Sequence, residues 1–268
     1  MAIRLVALDI DGTLLDSQGE LPLANVEAIA AAQAVGLAVT LVTARQRQMV
    51  APLAEALKLT GPLVLHNGAV VWLPQEDRET LRLTIDLEHA RTIAAYADER
   101  GYELITTIDE DTFLRCRPGK PCGRIREGLY ALPTNLEALT RPPTRIAVRD
   151  QAAALDIHRR FARRMADKTR MDIYFRDVEP WGLGIFNHRA SKGQALAFVC
   201  RWLGIDEAEV LAMGDNPVDA EMFPYAGVGI APGNAPDAVK AQASAVAPSN
   251  DEACVAWAIK RFVLGGGD

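Results

Sequence analysis

The sequence predicts an α/β fold into which a second, α+β domain is inserted. Three observations support this. Short apolar runs alternate with helical periodicities at both ends of the chain, the pattern of a parallel sheet with helices on both faces. Polar residues stand where those runs stop, and open α/β sheets bind ligands outside the carboxyl ends of their strands. Between about 86 and 187 the pattern changes to paired strands with interspersed helices, which suggests an open antiparallel sheet. The expected architecture is a Rossmann-like parallel-sheet core formed by 1–85 and 188–268, with 86–187 as the insert.

The first run, from Ile3 to Leu8, passes directly into Asp9-Ile10-Asp11-Gly12-Thr13. It reads as a buried strand ending in a functional loop. Two acids one residue apart repel each other unless a cation or a shared proton compensates. Alone, the segment fits a metal-assisted nucleophile, Asp9, with a partner acid/base, Asp11. It equally fits an acidic turn that caps a helix. A turn at Asp16-Ser17-Gln18-Gly19, a helix over 22–35 and a strand over 37–42 follow, the last ending in Thr43-Ala44-Arg45. A helix over 46–58 and a strand at 63–66 come next. Asn67-Gly68 then turns into a hairpin of 70–72 and 81–83.

The insert opens with a helix over 88–100, strands over 102–107 and 112–117, and a Pro/Gly-rich loop. A helix near 134–140, a strand over 144–149, a helix over 151–166 and strands over 171–176 and 183–187 complete it. The core resumes with Ser191-Lys192-Gly193 at the start of a helix over 191–203. A strand over 209–213 ends in Gly214-Asp215-Asn216-Pro217-Val218-Asp219. A helix over 217–223, a strand over 226–230 and helices near 235–241 and 251–263 close the fold, and Gly265-Gly266-Gly267 reads as a frayed tail. The groups at these strand ends and helix starts suit phosphoryl transfer. A carboxylate can attack phosphorus, a cation and a lysine offset charge on the transferring oxygens, and a hydroxyl positions them.

Composition narrows the partners. A chain of 268 residues, 49% hydrophobic and 24% charged, is an ordinary soluble globular protein. A net charge of −6 argues against nucleic acid, whose binding rests on clustered Lys and Arg. Arg159, Arg160, Arg163 and Arg164, with Lys168 and Arg170, read as a solvated helix face or, alternatively, as a contact for an anionic substrate. Cys116, Cys122, Cys200 and Cys254 lack zinc-site spacing and are expected to be reduced thiols, with a disulfide between Cys116 and Cys122 as the less favoured alternative. The four histidines form no metal-ligand pattern. The first apolar run is too short for a leader. The apolar stretch 28–44, interrupted by Gly36, falls short of the roughly 20 residues a membrane span needs. No membrane partner is expected, and the default location is cytoplasmic.

The order and setting of Asp9-x-Asp11-Gly12-Thr13, Thr43, Lys192 and Gly214-Asp215 with Asp219 resemble the haloacid dehalogenase superfamily of phosphohydrolases. The long interval between Thr43 and Lys192 is similar to the Cof-type branch, whose members carry a large α/β cap there. His66-Asn67-Gly68-Ala69 and Gly233-Asn234-Ala235 add support, and the resemblance covers about 1–85 and 188–260. It implies a magnesium-dependent phosphatase acting on a small phosphorylated metabolite such as a sugar phosphate. Asp9 would attack phosphorus to form an aspartyl-phosphate. Asp11 would protonate the leaving oxygen and then activate water. Mg2+ would be held by the Asp9 carboxylate, the Asp11 carbonyl and the Asp215 carboxylate, with Asp219 orienting water or Lys192. Thr43, Lys192 and amides around Ile10, Gly12 and Ala44 would hold the phosphoryl oxygens, and Arg45 and Asn67 are further candidate contacts. A monomer or weak homodimer is expected.

Structural alternatives stand beside each role. Lys192 could be a helix-surface lysine, Thr43 a helix N-cap, and Asp215 and Asp219 the acidic start of a helix. Two residues depart from the family pattern. Val218 stands where an asparagine is common, and Ala44 replaces a glycine, a mild change unless the backbone there needs a positive φ. A phosphomutase of the same superfamily would use the same residues, and a phosphate-ligand sensor would keep them without turnover. A dehalogenase needs neither a second acid in the role of Asp11 nor magnesium.

Overall fold

Leu5–Leu8 and Val210–Met213 are continuous apolar runs and Ala38–Leu41 is apolar but for the buried Thr40, whose hydroxyl donates to the Pro62 carbonyl; such runs are what a strand covered on both faces requires. The computed structural model describes residues 2–116, 119, 121–176 and 179–265. Gly266 and Gly267 of the expected tail, and Arg117, Pro118 and Lys120 of the expected loop, lie outside them. The chain begins β1 (Leu5–Leu8), α1 (Leu23–Ala34), β2 (Ala38–Leu41), α2 (Arg47–Ala56), β3 (Leu63–Leu65), β4 (Val70–Leu73) and β5 (Arg78–Arg82). It continues through α3 (Leu87–Arg100), β6 (Ile105–Ile108), β7 (Asp111–Arg115), β8 (Gly123–Arg126) and β9 (Leu129–Leu132). After β10 (Arg145–Val148), α4 (Gln151–Phe161), β11 (Thr169–Arg176) and β12 (Glu179–Asn187) comes α5 (Lys192–Leu203). Then follow β13 (Val210–Met213), β14 (Val228–Ala231), α6 (Asp237–Lys240), β15 (Ala245–Val246) and α7 (Cys254–Phe262).

The chain divides into two compact units, Met1–Leu81 with Ser191–Asp268, and Arg82–Ala190. The sequence places the breaks after 85 and 187. Residues 82–85 belong with the second unit because Ile85 is fully buried in its core and the Ile85 N–H donates to the Pro143 carbonyl.

The first unit holds a parallel sheet in the order β15-β14-β13-β1-β2. Side chains alternate across it. Val6, Leu8, Leu211 and Met213 pack with Ile29 of α1, Val50 of α2 and Ile259 of α7. Leu5, Ala7, Val210 and Ala212 pack with Leu196 and Val199 of α5 on the other face. Full burial of each valine, leucine, isoleucine or methionine among them contributes about 1.5–3 kcal/mol. The register aligns Leu8 with Leu41 and with Met213, so β1, β2 and β13 end level. Asp9, Thr43 and Asp215 therefore emerge along one edge. The Asn67-Gly68 turn itself pairs β3 with β4, antiparallel, and β5 lies beside β4 in a three-stranded sheet. The helix expected over 217–223 is a 3-10 segment over Ala220–Tyr225 with Pro224 inside, where a missing N–H disfavours an α-helix.

The second unit has a seven-stranded sheet in the order β11-β12-β10-β6-β7-β9-β8. It is mixed rather than wholly antiparallel as expected: β8 and β9 form a hairpin that returns β9 alongside β7 in parallel. Ile93, Ala94 and Ala97 of α3 and Ala153, Ile157 and Phe161 of α4 cover Ile146, Val148, Leu183 and Ile185 on one face. Asp86 caps α3 by accepting from the Glu88 and His89 N–H groups, and Asp150 caps α4 through the Ala153 N–H. Arg159, Arg160, Arg163 and Arg164 are exposed. Cys116 and Cys122 are joined in a disulfide, which corrects the expectation of reduced thiols; their Cα atoms lie 5.5 Å apart, inside the bridging range. Cys200 and Cys254 are free and buried. Among the described residues, no helix is long and apolar enough to cross a membrane.

Candidate active site

Asp9 is the first residue beyond β1, and its N–H continues the sheet pattern by donating to the Met213 carbonyl at 3.0 Å. Its side chain is buried, and Oδ1 accepts from Lys192 Nζ at 2.6 Å. Lys192 opens α5 behind the N-cap Ser191, whose hydroxyl accepts from the Gln194 N–H. Gly68 makes that approach possible: a Cβ there would lie 2.2 Å from the Ser191 carbonyl oxygen. Lys192 Nζ also donates to Asp219 Oδ1 at 2.5 Å, while Asp219 Oδ2 accepts from the Asn216 N–H at 2.8 Å. Both Asp219 oxygens are thus engaged.

Asp215 completes the group. Thr13 Oγ1 lies 3.5 Å from Asp215 Oδ1, a hydroxyl that the sequence reading did not single out although it sits in the first motif. Gly12 has φ +80, and a Cβ there would meet Asp215 Oδ2 at 2.5 Å, so only glycine lets the loop pass the carboxylate. Asp9, Asp215 and Asp219 each offer an oxygen within 4.8 Å of the others.

Three carboxylates therefore face one ammonium. Burial raises Asp9 well above the usual carboxylate range, and the Asp219 charge adds to it against the pull of Lys192. Burial, followed by the Asp219 charge, pushes Asp215 up to about 7. Lys192 is raised by Asp219 and Asp9, which outweigh its own burial. A divalent cation would relieve this imbalance, and carboxylate and carbonyl oxygens are hard donors of the kind that Mg2+ takes.

The remaining predicted residues lie on the neighbouring loops. Thr43 is fully buried just past β2; its hydroxyl accepts from the Arg45 N–H at 3.1 Å and its carbonyl from the Asn67 N–H at 2.9 Å. Ala44 is not among the residues with positive φ, so replacing glycine there brings no backbone strain. Arg45 grips Asp11, with Nε to Oδ2 at 2.9 Å and Nη2 to Oδ1 at 2.6 Å. The Asp11 side chain is 63% exposed. The two acids of the first motif thus differ in setting, one buried on a lysine and one open to solvent on an arginine. Asn67 is buried with φ +54 in the turn after β3. The Ile10 carbonyl accepts from the Leu15 N–H and closes the loop.

The first unit thus gathers a buried lysine and three carboxylates where its parallel strands end and α5 begins. Residues 6–259 match the family model of haloacid dehalogenase-like hydrolases, and the chain belongs to that family. It is a phosphomonoester hydrolase of the haloacid dehalogenase superfamily. It is 27% identical to Phosphatase YwpJ of Bacillus subtilis, over 97% of this chain and 100% of the relative. It is 29% identical to the 5-amino-6-(5-phospho-D-ribitylamino)uracil phosphatase YcsE of the same organism, over 98% and 96%. In fold it is similar to a haloacid dehalogenase-like hydrolase from Bacteroides thetaiotaomicron, with a TM-score of 0.83 at 24% identity, covering 97% of this chain and 99% of that one.

Proposed function

We propose that this enzyme hydrolyses a small phosphorylated metabolite, with Mg2+ as cofactor and Asp9 as nucleophile. The observation that carries the reading is Lys192 Nζ at 2.6 Å from Asp9 and 2.5 Å from Asp219, with Asp215 beside them. Lys192 and Asp219 hold the Asp9 carboxylate in place through Oδ1, which leaves Oδ2 to attack phosphorus. The bond from phosphorus to the ester oxygen breaks as the aspartyl-phosphate forms, and Asp11 gives that oxygen its proton. Asp11 then takes a proton from water, whose oxygen displaces phosphate from Asp9. Lys192, Thr43 and the amides of Ile10, Gly12 and Ala44 would hold the phosphoryl oxygens.

Mg2+, held by the Asp9 and Asp215 carboxylates and the Asp11 carbonyl, would neutralise charge on the transferring group. Asp219, with both oxygens occupied, serves to orient Lys192. Arg45 places the Asp11 carboxylate, and Asn67 braces the turn beside Thr43. The Arg82–Ala190 unit is assigned the choice of substrate.

Phosphate release from p-nitrophenyl phosphate tests the reading, measured with Mg2+, with EDTA, and after Mg2+ is restored. Release that stops in EDTA and returns with Mg2+ is expected. Metal-independent release at full rate rejects the cofactor assignment. Phosphate binding without turnover would make the protein a sensor.

A further inference from the structure

Four consecutive carbonyls follow Asp11, and each is capped by a side chain from elsewhere in the first unit. Asn234 Nδ2 donates to the Gly12 carbonyl at 2.8 Å and Cys254 Sγ to that of Thr13 at 3.2 Å. Asn25 Nδ2 donates to the Leu14 carbonyl at 2.9 Å and Asn250 Nδ2 to that of Leu15 at 3.0 Å. The donors are anchored in turn. The Asn250 N–H donates to Asn234 Oδ1 and the Ala256 N–H to Asn25 Oδ1, both at 3.0 Å. Asn25, Asn250 and Cys254 are buried, whereas Asn234 is exposed. Burial pushes the Cys254 thiol up to about 12, so it keeps the proton it donates.

The loop needs such help. Asp11 (ψ 117) and Gly12 (φ 80) are not helical, so no regular ladder serves the carbonyls that follow, and buried carbonyls require donors. Gly12 is also the freest hinge in the segment, and it lies directly after the group that must meet the leaving oxygen.

We propose that Asn25, Asn234, Asn250 and Cys254 are positioning residues, a clamp that fixes the Gly12 hinge so that Asp11 is presented in one orientation. The proposal rests on the phosphohydrolase reading of Asp9 and Asp11. Small errors in placing a reacting group are expensive in rate, whereas a merely structural network would show its loss in stability alone.

Three substitutions in the whole chain separate these roles. Cys254→Ala removes the donor to Thr13, and Cys254→Ser puts a hydroxyl donor back at the same place. Asn234→Asp keeps the acceptor for the Asn250 N–H but loses the donor to Gly12. For each, kcat and KM on p-nitrophenyl phosphate with Mg2+ are measured beside the folded fraction from circular dichroism. With kcat normalised to folded protein, Cys254→Ala and Asn234→Asp should lose about fivefold or more while KM stays within about threefold. Cys254→Ser should recover to within about twofold of wild type. If normalised kcat is unchanged while only the melting temperature falls, the clamp is structural and the proposal is overturned. Should Cys254→Ala fail to fold, Asn234→Asp on its exposed side chain decides alone. A wild type that releases no phosphate with Mg2+ ends the phosphohydrolase reading and the clamp with it. An active wild type with unaffected variants ends the clamp only.

Discussion

The two units accommodate their acidic side chains in opposite ways. In the second unit Asp98 accepts from the Asn135 N–H, Asn135 Nδ2 and the Leu136 N–H, at 2.8, 2.8 and 3.0 Å. Asp156 accepts from the hydroxyls of Tyr96 and Tyr102 and lies 3.6 Å from Arg100. Each of these carboxylates is satisfied where it stands and pins a helix to a loop or to its neighbour. In the first unit, Asp9 and Asp219 share Lys192, Asp215 lies beside them, and burial raises Asp9 and Asp215. Lys192 offsets part of the repulsion, but the raised Asp9 and Asp215 carboxylates oppose folding when ionised. A cluster that stays short of positive charge points to chemistry, and one that is fully satisfied points to architecture.

The largest effect should follow from removing the proposed nucleophile. Asp9→Asn should lower phosphate release by at least about a thousandfold, since an amide is a very poor nucleophile. Its melting temperature in EDTA should be unchanged or higher, because one of three mutually repelling carboxylates is gone. Activity within tenfold of wild type would remove Asp9 from the attacking role.

The same imbalance gives a pH dependence. A carboxyl whose folded pKa is raised binds its proton more tightly in the native state, so stability falls as pH rises. For Asp215 that stability is fully present below the ordinary value of 3.8 and is lost as pH rises through about 7. Asp9 is raised in the same direction. Metal-free protein should therefore melt at progressively lower temperature from pH 5.5 to 8, and Mg2+ should oppose the loss. The test is the gap between melting temperatures with Mg2+ and with EDTA, which should widen with pH. A gap that stays constant would break the link between charge deficit and cation.

In the second unit the expectation reverses. Asp98→Ala strands the N–H groups of Asn135 and Leu136 and should cost about 1–3 kcal/mol of stability. Normalised to folded protein, kcat on p-nitrophenyl phosphate should stay within about threefold. Denaturant melts and steady-state kinetics on one preparation would check both. A large loss of kcat in fully folded protein would show that Asp98 is not purely architectural.

The difference between the units also decides what could be read from sequence. β1 and β13 are legible because strands buried on both faces are unbroken apolar runs, and β2 departs from that pattern only at Thr40. β8 is exposed throughout and carries Arg124 and Arg126, so no apolar signal marks it, and its partner β9 went unrecognised too. Without that hairpin the sheet looked wholly antiparallel. β15 has only two residues, Ala245 and Val246, too few to show a period. Asp9 and Asp215 could be singled out because they follow strands, Lys192 because it opens a helix beside a glycine, and Asp219 because the family resemblance extends to it. Their convergence depends on the level ends of β1 and β13. Asn25 and Asn250 gave no signal, because their partners are backbone carbonyls more than ten residues away in the chain, and those carbonyls are chosen by tertiary folding.

The smallest expected effect comes from supplying the first cluster with a neutral donor. Val218 lies between Asp215 and Asp219, half-buried, with its N–H directed to Asn216 Oδ1 at 3.3 Å. It belongs to neither apolar core of its unit, so a polar side chain there is not forced into a dry site and the fold should tolerate Val218→Asn. If the new amide reaches a phosphoryl oxygen, one hydrogen bond contributes about 0.5–1.5 kcal/mol, up to roughly tenfold in affinity or rate. A contact made equally in the ground and transition states lowers KM and tightens inhibition by inorganic phosphate, whereas one that strengthens in the transition state raises kcat. Phosphate inhibition, KM, kcat and melting temperature of the variant distinguish these cases. A stable variant with all three kinetic quantities unchanged would show that position 218 faces away from the phosphoryl group, and that the charge deficit is answered by the cation and Lys192 alone.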